Sequence, residues 1–188
     1  MRYLCALIGM ILVLATASAS ASRFTAEIDV DTYVDAQNAN QSFSNDNLLW
    51  ATSVQGNPVK EAYISFINTF GASGIFNPEN VESATLKLHA SKVDAPGKVK
   101  AYLIHEAVMD ATWNEKPIYN ASDSVNLNID KEGEYLLNVT PLIKEAVKTC
   151  TEGCPYSIAL VAEDSTSIAF ASKESQEGKP VLEYTTPE

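Results

Sequence analysis

The chain has 188 residues, with 24 acidic and 13 basic side chains and a formal net charge of −11 at pH 7. A chain of this length fits one domain with a sizeable hydrophobic core. Because so acidic a surface repels nucleic acid and anionic lipid, the composition excludes nucleic acid as a partner.

The first residues have the pattern of a secretory signal peptide. Met1 and Arg2 supply a positive start, and residues 4–14 form an apolar run shorter than the about 20 residues that span a bilayer. The small residues 15–21 offer several cleavage positions. We predict a signal peptide over residues 1–21, a secreted or cell-surface protein, and no membrane insertion of the mature chain. An N-terminal membrane anchor is the less favoured alternative.

The sequence after the signal peptide opens with period-two alternation, the pattern of a half-buried strand. Between Phe24 and Asp35 the even positions are mostly apolar, whereas acidic residues occupy most of the odd positions, with Tyr33 among them. We predict that the odd face is exposed to solvent. This makes Tyr33 a candidate for an exposed aromatic ring and Asp31 a candidate cation ligand.

Short apolar or alternating segments, separated by Gly, Pro, Asn and Asp, continue to the end of the chain. About ten short strands predict an all-β fold, a jelly-roll-like antiparallel β-sandwich, in a single domain over residues 24–186. After the first strand we predict strands over residues 48–54, 59–67, 83–90, 99–104, 125–129, 135–139, 157–162, 167–171 and 181–185. The residues predicted to be buried in its core are Phe66, Leu86, Leu88, Leu160 and Phe170.

One segment departs from the strand pattern. Thr140 is predicted as an N-cap with Pro141 in the first turn, and apolar residues then recur with helical spacing, which predicts one short helix. The helix ends near Cys150 and Cys154. The third cysteine lies in the predicted signal peptide, so in an oxidising compartment these two should form a disulfide that closes a short loop.

The sequence offers little for catalysis. Its two histidines, His89 and His105, lie in a strand and at a strand end, and the signatures of serine hydrolases, zinc proteases and phosphate-binding loops do not occur. We therefore predict no catalytic residues. A small polysaccharide lyase or hydrolase is the least favoured alternative, because two of the 24 acidic residues could still converge as a catalytic pair.

The aromatic residues support a role in carbohydrate binding better than the polar residues support catalysis. Exposed rings stack on the flat C–H faces of sugars while polar neighbours contact the hydroxyl groups. We predict carbohydrate-binding roles for Tyr33, for Trp113 in a polar turn, and for Tyr119. Trp50 alternates with Leu48 and is assigned to the core. For each ring, packing in the core is the alternative interpretation.

The acidic residues also raise the question of a metal site. Calcium takes about six to eight oxygen ligands, and alternate residues of one strand lie about 7 Å apart, so the first strand contributes one or two ligands at most. We pair Asp31 with Glu174 from a distant segment as the candidate ligands. A solvated acidic face is the alternative.

Six segments occur in the order of a known extracellular family. They are residues 31–50, 61–66, 82–88, 112–117, 135–142 and 157–184. Together they resemble the DNRLRE-type domain and the closely related carbohydrate-binding module family 96. The resemblance implies a jelly-roll-like sandwich, an extracellular location, polysaccharide binding and a structural Ca²⁺ ion. The Trp-x-Glu element usual in the family is missing, because residues 106–110 are Glu-Ala-Val-Met-Asp.

These observations predict a secreted, non-catalytic protein whose partner is a polysaccharide. The alternative function is a structural subunit of an extracellular matrix, surface layer or filament, which should self-associate. A sugar-binding protein should instead keep several aromatic rings exposed along one face.

Overall fold

A computed structural model describes residues 21–120 and 123–187. The predicted signal peptide lies outside these residues except for Ala21. Within the described residues, no helix is long and apolar enough to cross a membrane.

Eleven strands and one α-helix make up the described part of the chain, joined by loops and four short 3-10 helices. The helix is α1 (Thr140–Thr149), and the 3-10 helices are Ala36–Asn38, Gly71–Ser73, Pro78–Asn80 and Trp113–Glu115. The strands are β1 (Arg23–Ala26), β2 (Ile28–Asp35), β3 (Leu48–Val54), β4 (Asn57–Phe66), β5 (Ser83–Ala95), β6 (Gly97–Ile104), β7 (Ser124–Ile129), β8 (Gly133–Asn138), β9 (Tyr156–Ala162), β10 (Ser167–Ala171) and β11 (Val181–Thr185).

The strands pair in an antiparallel manner in the order β1-β11-β5-β10-β3-β4-β9-β6-β7, with β2 beside β4 and β8 beside β5. The sheet curls, and both of its halves contribute side chains to one core. One half contains β1, β11, β5, β8, β10 and β3, and the other contains β2, β4, β9, β6 and β7. The predicted all-β antiparallel sandwich with one short helix is confirmed.

The large cluster of buried side chains between the two halves is called the main core. It contains all five residues predicted for it, Phe66, Leu86, Leu88, Leu160 and Phe170, each with 0% of its surface exposed. Alternate residues of a strand share one face, so the period-two pattern of these segments directs the apolar side chains inward. The predicted strand register is therefore correct at these positions.

A smaller buried cluster, called the outer cluster, lies on the opposite face of β2, β4, β6 and β9. Alternate residues of β4 and β9 enter the two clusters, so these central strands are buried on both faces. Residues 105–119, which follow β6, cover the outer cluster. Its buried members are Val34, Tyr63, Tyr102, Ile104, Val108, Ala111, Ala159 and Val161, and Trp113 and Tyr119 pack against them partly buried.

Strand β2 shows where the alternation in the sequence misleads. Its pairing with β4 slips between Ile28 and Asp31, which marks a β-bulge that changes the face presented by the residues after it. Beyond the bulge Val34 enters the outer cluster and Tyr33 the main core. Tyr33 is only 6% exposed. The prediction that its side of the strand faces solvent is wrong.

The first predicted strand is in fact two strands. β1 pairs with β11 and β2 pairs with β4, so the chain crosses from one half of the sandwich to the other near Glu27. The apolar alternation of the sequence continues through this break. For that reason the pattern predicted one strand where the structure has two.

Helix α1 packs one apolar face on the main core through Leu142, Ile143, Ala146 and Val147. Its N-cap is Val139, one residue before the predicted cap, and the Thr140 N–H is satisfied instead by the Asn138 side chain, whose Oδ1 accepts at 3.0 Å. Beyond the helix Cys150 and Cys154 form a disulfide, which confirms the predicted pairing.

Candidate functional site

The outer cluster holds a buried charge. Glu61, on β4, is 1% exposed and shares its strand face with Tyr63, two residues later. The Tyr63 hydroxyl donates to Glu61 Oε2 at 2.7 Å, and the Lys116 ammonium forms an ion pair with Glu61 Oε1. A carboxylate as buried as Glu61 is ordinarily found paired, because unpaired burial of a charge is unfavourable. The ion pair therefore ties the segment that contains Lys116 to the centre of the sheet.

The segment that supplies Lys116 is a tight turn. Trp113–Glu115 form a 3-10 helix, and Lys116 Nζ lies 3.9 Å from the centroid of the Trp113 ring. The Asn114 N–H donates to the Ala39 carbonyl oxygen at 3.2 Å, which attaches the turn to the loop after β2. A cation over the face of a tryptophan ring is favourable. Glu61 and Trp113 therefore both hold Lys116.

Tyr119 lies at the edge of the outer cluster. Its ring stacks on Tyr102 of β6, with ring centroids 4.5 Å apart. Burial, followed by the negative charge of Glu61, raises the pKa of Tyr119 well above its usual range. A hydrogen bond to the Glu61 side chain adds to this rise, so the Tyr119 hydroxyl already directs its proton toward that carboxylate.

A groove of about 860 Å³ opens beside Tyr119. This volume falls within the range of about 300–1,000 Å³ typical of small-molecule sites. One wall is helix α1, and the others come from the end of β6, the Pro78–Asn80 turn and the residues on either side of the undescribed pair 121–122. Ile118, on this last wall, is 93% exposed.

Charged side chains line the groove together with apolar residues such as Ile118. Three are carboxylates, Glu79, Asp123 and Glu145, and two are ammonium groups, Lys144 and Lys148. Lys148 Nζ donates to Glu145 Oε2 at 2.6 Å. The groove therefore combines apolar walls with several hydrogen-bonding groups, a composition that suits a ligand with both C–H surfaces and hydroxyl groups.

The family comparison covers the region in which the outer cluster and the groove lie. The family model of carbohydrate-binding module family 96 matches residues 22–186. The chain belongs to this family. Comparison with curated proteins finds no match. The resemblance predicted from the six ordered segments is confirmed.

Two of the three predicted sugar-binding residues lie on the same surface of the module. Trp113 and Tyr119 both pack against the outer cluster and are partly exposed. Tyr33 lies in the main core, where its ring stacks on Phe43 with centroids 4.3 Å apart and its hydroxyl donates to Asp46 Oδ2 at 3.2 Å. A ring covered in this way presents no face to a sugar. Tyr33 is therefore left out of the candidate site.

Trp50 is less buried than predicted. It lies on β3 opposite Ala169 of β10, and its ring packs only against the margin of the main core. The ammonium groups of Lys60 and Lys92 each lie 5.2 Å from its ring centroid. The indole of Trp50 thus lies between core and surface, with its charged neighbours on β4 and β5.

The two predicted metal ligands, Asp31 and Glu174, lie near one another. Asp31 is 1% exposed, and its Oδ2 accepts the Lys173 N–H at 2.6 Å, whereas its Oδ1 has no hydrogen-bond partner. Burial raises the pKa of Asp31 from 3.8 to about 6, despite the lowering effect of the Lys173 N–H, and the charge of Glu174 adds to the rise. A buried carboxylate oxygen without a partner suits a cation ligand.

Side chains alone do not complete a calcium site at Asp31. In the described part of the chain, no three His, Cys, Asp or Glu side chains converge in a way that could hold a metal ion. The Lys173 ammonium, 4.0 Å from Glu174 Oε1, already places a positive charge there. Any further ligands for Ca²⁺ would have to be backbone oxygens or water molecules. Structural calcium at Asp31 and Glu174 therefore stays a prediction.

Sequence reasoning missed Glu61, Lys116 and Ile118 as members of the site. Glu61 carries a weak signal, because it is a lone acidic residue at the start of the apolar run 62–64 in a strand buried on both faces. Lys116 carries none, since 55 positions separate it from Glu61 in the sequence. Only the folded chain brings this ion pair together.

Proposed function

We propose that the protein is exported, has no catalytic activity and binds polysaccharide at the surface around Trp113 and Tyr119. The observation that carries the proposal is membership of a carbohydrate-binding module family over residues 22–186. The partly exposed rings at the edge of the outer cluster support it. Export is supported by the signal-peptide pattern of residues 1–21 and by the disulfide, because disulfides persist in oxidising compartments.

Both rings are held in place before any ligand arrives. Trp113 carries the Lys116 ammonium over its face, and Tyr119 stacks on Tyr102. Holding a side chain in its binding conformation lowers the entropy lost on association. The exposed parts of the two rings can contact the C–H face of a sugar. Binding in this manner requires no chemical step.

The test is a binding assay of the mature protein against a panel of soluble and insoluble polysaccharides. We expect Trp113→Ala and Tyr119→Ala each to weaken binding by about 1–3 kcal/mol, as for other aromatic anchors, while the circular dichroism spectrum is retained. Phe76→Ala is the matched control, because Phe76 is an exposed aromatic residue, 68% exposed, that belongs neither to the outer cluster nor to the groove. The Phe76→Ala variant should bind polysaccharide with the same affinity as the wild type.

Two results would contradict the proposed function. Release of new reducing ends during incubation with a bound polysaccharide would show catalysis. A mature protein that binds no glycan at millimolar concentration yet polymerises would favour the structural subunit of a matrix, surface layer or filament. Light scattering on the same samples, with and without Ca²⁺, separates this second outcome from simple lack of binding.

Export is tested separately by N-terminal sequencing of secreted protein. We expect the mature chain to begin between Ser18 and Arg23, because the small residues that suit signal peptidase lie there. Secreted material that retains Met1 would overturn the signal-peptide prediction without bearing on the binding of polysaccharide.

A further inference from the structure

The loop between β2 and β3 contains an acceptor triplet for N-linked glycosylation. Residues 40–42 are Asn-Gln-Ser and match the pattern Asn-x-Ser/Thr, in which the middle residue is not proline. Residues 138–140, Asn-Val-Thr, match the same pattern at the end of β8. A third triplet, residues 120–122, lies partly outside the described residues. The fold therefore decides between the first two triplets according to how each asparagine is held.

The Asn40 side chain is exposed, and its amide nitrogen has no partner. Asn40 lies in a turn in which the Gln41 N–H donates to the Asn38 carbonyl oxygen at 2.9 Å. Asn40 Oδ1 accepts from Asn114 Nδ2 at 2.8 Å, whereas among the described residues no hydrogen bond engages Asn40 Nδ2. Because a glycan attaches to Nδ2 and leaves Oδ1 in place, the bond from Asn114 survives the modification.

The backbone of residues 40–42 is accessible as well. None of these three residues belongs to a helix or a strand. Gln41 is exposed and Ser42 is half-buried. A glycosyl-transferring enzyme has to bind all three residues of the triplet, and surface loops permit this. Residues 40–42 can therefore be reached both before and after the chain folds.

The triplet at residues 138–140 is held in a different way. Val139 is fully buried in the main core, and Thr140 begins α1. The Thr140 hydroxyl accepts from the Ala84 N–H at 2.8 Å and donates to Asn138 Oδ1 at 2.7 Å. Folding consequently removes the middle residue from reach and engages the hydroxyl that the enzyme needs. The structure favours Asn40 over Asn138 as the acceptor.

The reaction needs a sugar donor and no oxidant or reductant. The donor class is an oligosaccharide joined through a diphosphate to a lipid of the export membrane. Asn40 Nδ2 forms a bond to C1 of the first sugar, and the bond between C1 and the diphosphate oxygen breaks. Nδ2 gives up one proton, and the lipid diphosphate leaves.

We propose that the exported protein carries an N-linked glycan on Asn40 and none on Asn138. This inference rests on the export included in the proposed function and does not depend on polysaccharide binding. The hydrogen bond from Asn114 places the glycan next to the Trp113–Glu115 turn, at the border of the surface proposed to bind polysaccharide. Because an N-linked glycan is bulky and solubilising, it keeps this side of the module in solvent.

The experiment is glycan mapping of the secreted full chain. The chain is expressed with its own residues 1–21 in a eukaryotic host that N-glycosylates secreted proteins, and protein from the cells that naturally secrete it is mapped in parallel. Peptide N-glycosidase F converts a modified asparagine to aspartate. After this treatment, mass spectrometry of both samples should find aspartate at position 40 and asparagine at position 138.

Three variants test whether the triplet directs the modification. Ser42→Ala should abolish the glycan, because the third residue needs a hydroxyl, whereas Ser42→Thr should keep its occupancy at or above that of the wild type. Ser44→Ala is the matched control: Ser42 Oγ donates to Ser44 Oγ at 3.4 Å, so this variant removes the same hydrogen bond and leaves the triplet intact. Its occupancy should equal that of the wild type. After glycosidase treatment all three variants should keep the wild-type melting temperature.

The possible failures are distinguishable. Secreted protein that begins between Ser18 and Arg23 but has an unmodified Asn40 overturns this inference and leaves the proposed function intact. A glycan on Asn138 at an occupancy equal to that on Asn40 overturns the argument from accessibility. Protein that stays in the cell with Met1 retained overturns export, and this inference with it, and leaves polysaccharide binding intact.

Discussion

The main core and the outer cluster lie on opposite faces of the same strands, and they are built from different chemistry. The main core is apolar and is closed by a second half-sandwich. The outer cluster is covered by one loop segment and includes a buried ion pair, Glu61–Lys116, at its base. Its rim consists of two partly exposed aromatic residues. One face of the sheet therefore stabilises the fold, whereas the other holds side chains in position at the surface.

A loop covers the sheet face that contains the charge of Glu61. A second sheet would have presented mainly apolar side chains to Glu61, whereas the loop supplies the Lys116 ammonium and the strand supplies the Tyr63 hydroxyl. Both oxygens of the buried carboxylate are thereby satisfied. The same loop then continues to Tyr119 and the groove. The Glu61–Lys116 ion pair therefore stabilises the fold and also holds the loop whose aromatic residues lie at the surface.

The largest effect on stability is expected in the main core. Leu86 is fully buried and pairs with Leu182 and Leu137 on the strands at either side. Leu86→Ala should lower the free energy of unfolding by about 2–5 kcal/mol, because truncation leaves a cavity. Leu136→Ala on β8, an exposed position, is the control and should change it by about 0.5 kcal/mol or less. Equal losses in urea unfolding for the two variants would contradict the assigned strand register.

A smaller loss in the free energy of unfolding is expected from a substitution in the outer cluster. Lys116→Ala leaves Glu61 buried without its counter-ion, and we expect a loss of about 3 kcal/mol, at the low end for buried pairs because Lys116 itself is partly exposed. Binding of polysaccharide should weaken as well, since Trp113 loses its cation. The control is Lys87→Ala, which removes the exposed Lys87–Glu134 pair and should change stability by less than about 1 kcal/mol. Similar losses of stability for Lys116→Ala and Lys87→Ala would mean that Glu61 is not held by Lys116.

Asp31 is the unpaired counterpart of Glu61 and should make stability depend on pH. Its folded-state pKa, about 6, lies above the unfolded value of 3.8. The folded state therefore binds the proton more tightly, and stability is lost as pH rises from about 4 to about 6. At about 1.4 kcal/mol per pKa unit the loss is at most about 3 kcal/mol. Asp31→Asn, which cannot ionise, should remove this loss, so in urea unfolding the variant should gain stability relative to the wild type as pH rises across that window.

The calcium prediction is tested on the wild type, Asp31→Asn and a third protein, Glu174→Gln. An ion bound only by the folded state raises its stability, so EDTA should lower the melting temperature of the wild type at neutral pH. Asp31→Asn and Glu174→Gln should lose this response if the two carboxylates are ligands. An EDTA response of equal size in all three proteins would place any bound ion elsewhere, and the lack of a response in the wild type would remove the structural ion.

The smallest effect is expected outside both clusters. Cys154→Ser opens the Cys150–Cys154 disulfide, whose loop spans a sequence separation of only four residues. Because loop-closure entropy grows with loop length, the loss should be about 2 kcal/mol or less, with polysaccharide binding retained. Failure of the variant to fold would mean that the disulfide holds α1 against the main core rather than closing a peripheral loop.

Several features of the molecule follow from the sequence alone. The alternation in β4, β5, β9 and β10 directs the same apolar residues inward whatever strands lie beside them, because side chains of a strand alternate between faces. The helical spacing after Pro141 depends only on residues that are close together in the sequence. The same holds for the pairing of Cys150 with Cys154. For these reasons the fold class, five core residues (Phe66, Leu86, Leu88, Leu160 and Phe170), the helix and the disulfide were predicted correctly, whereas Trp50 is only partly buried.

The tertiary structure alone decided which candidate residues reach the surface. A single bulge in β2 moved Tyr33 from the predicted solvent face into the main core, and no local pattern signals that bulge. The pairing of Glu61 with Lys116 and the groove beside Tyr119 join segments far apart in the sequence. Alternation determines only that a strand has two faces. What covers each face depends on strand pairing and loop packing, which are long-range properties of the folded chain.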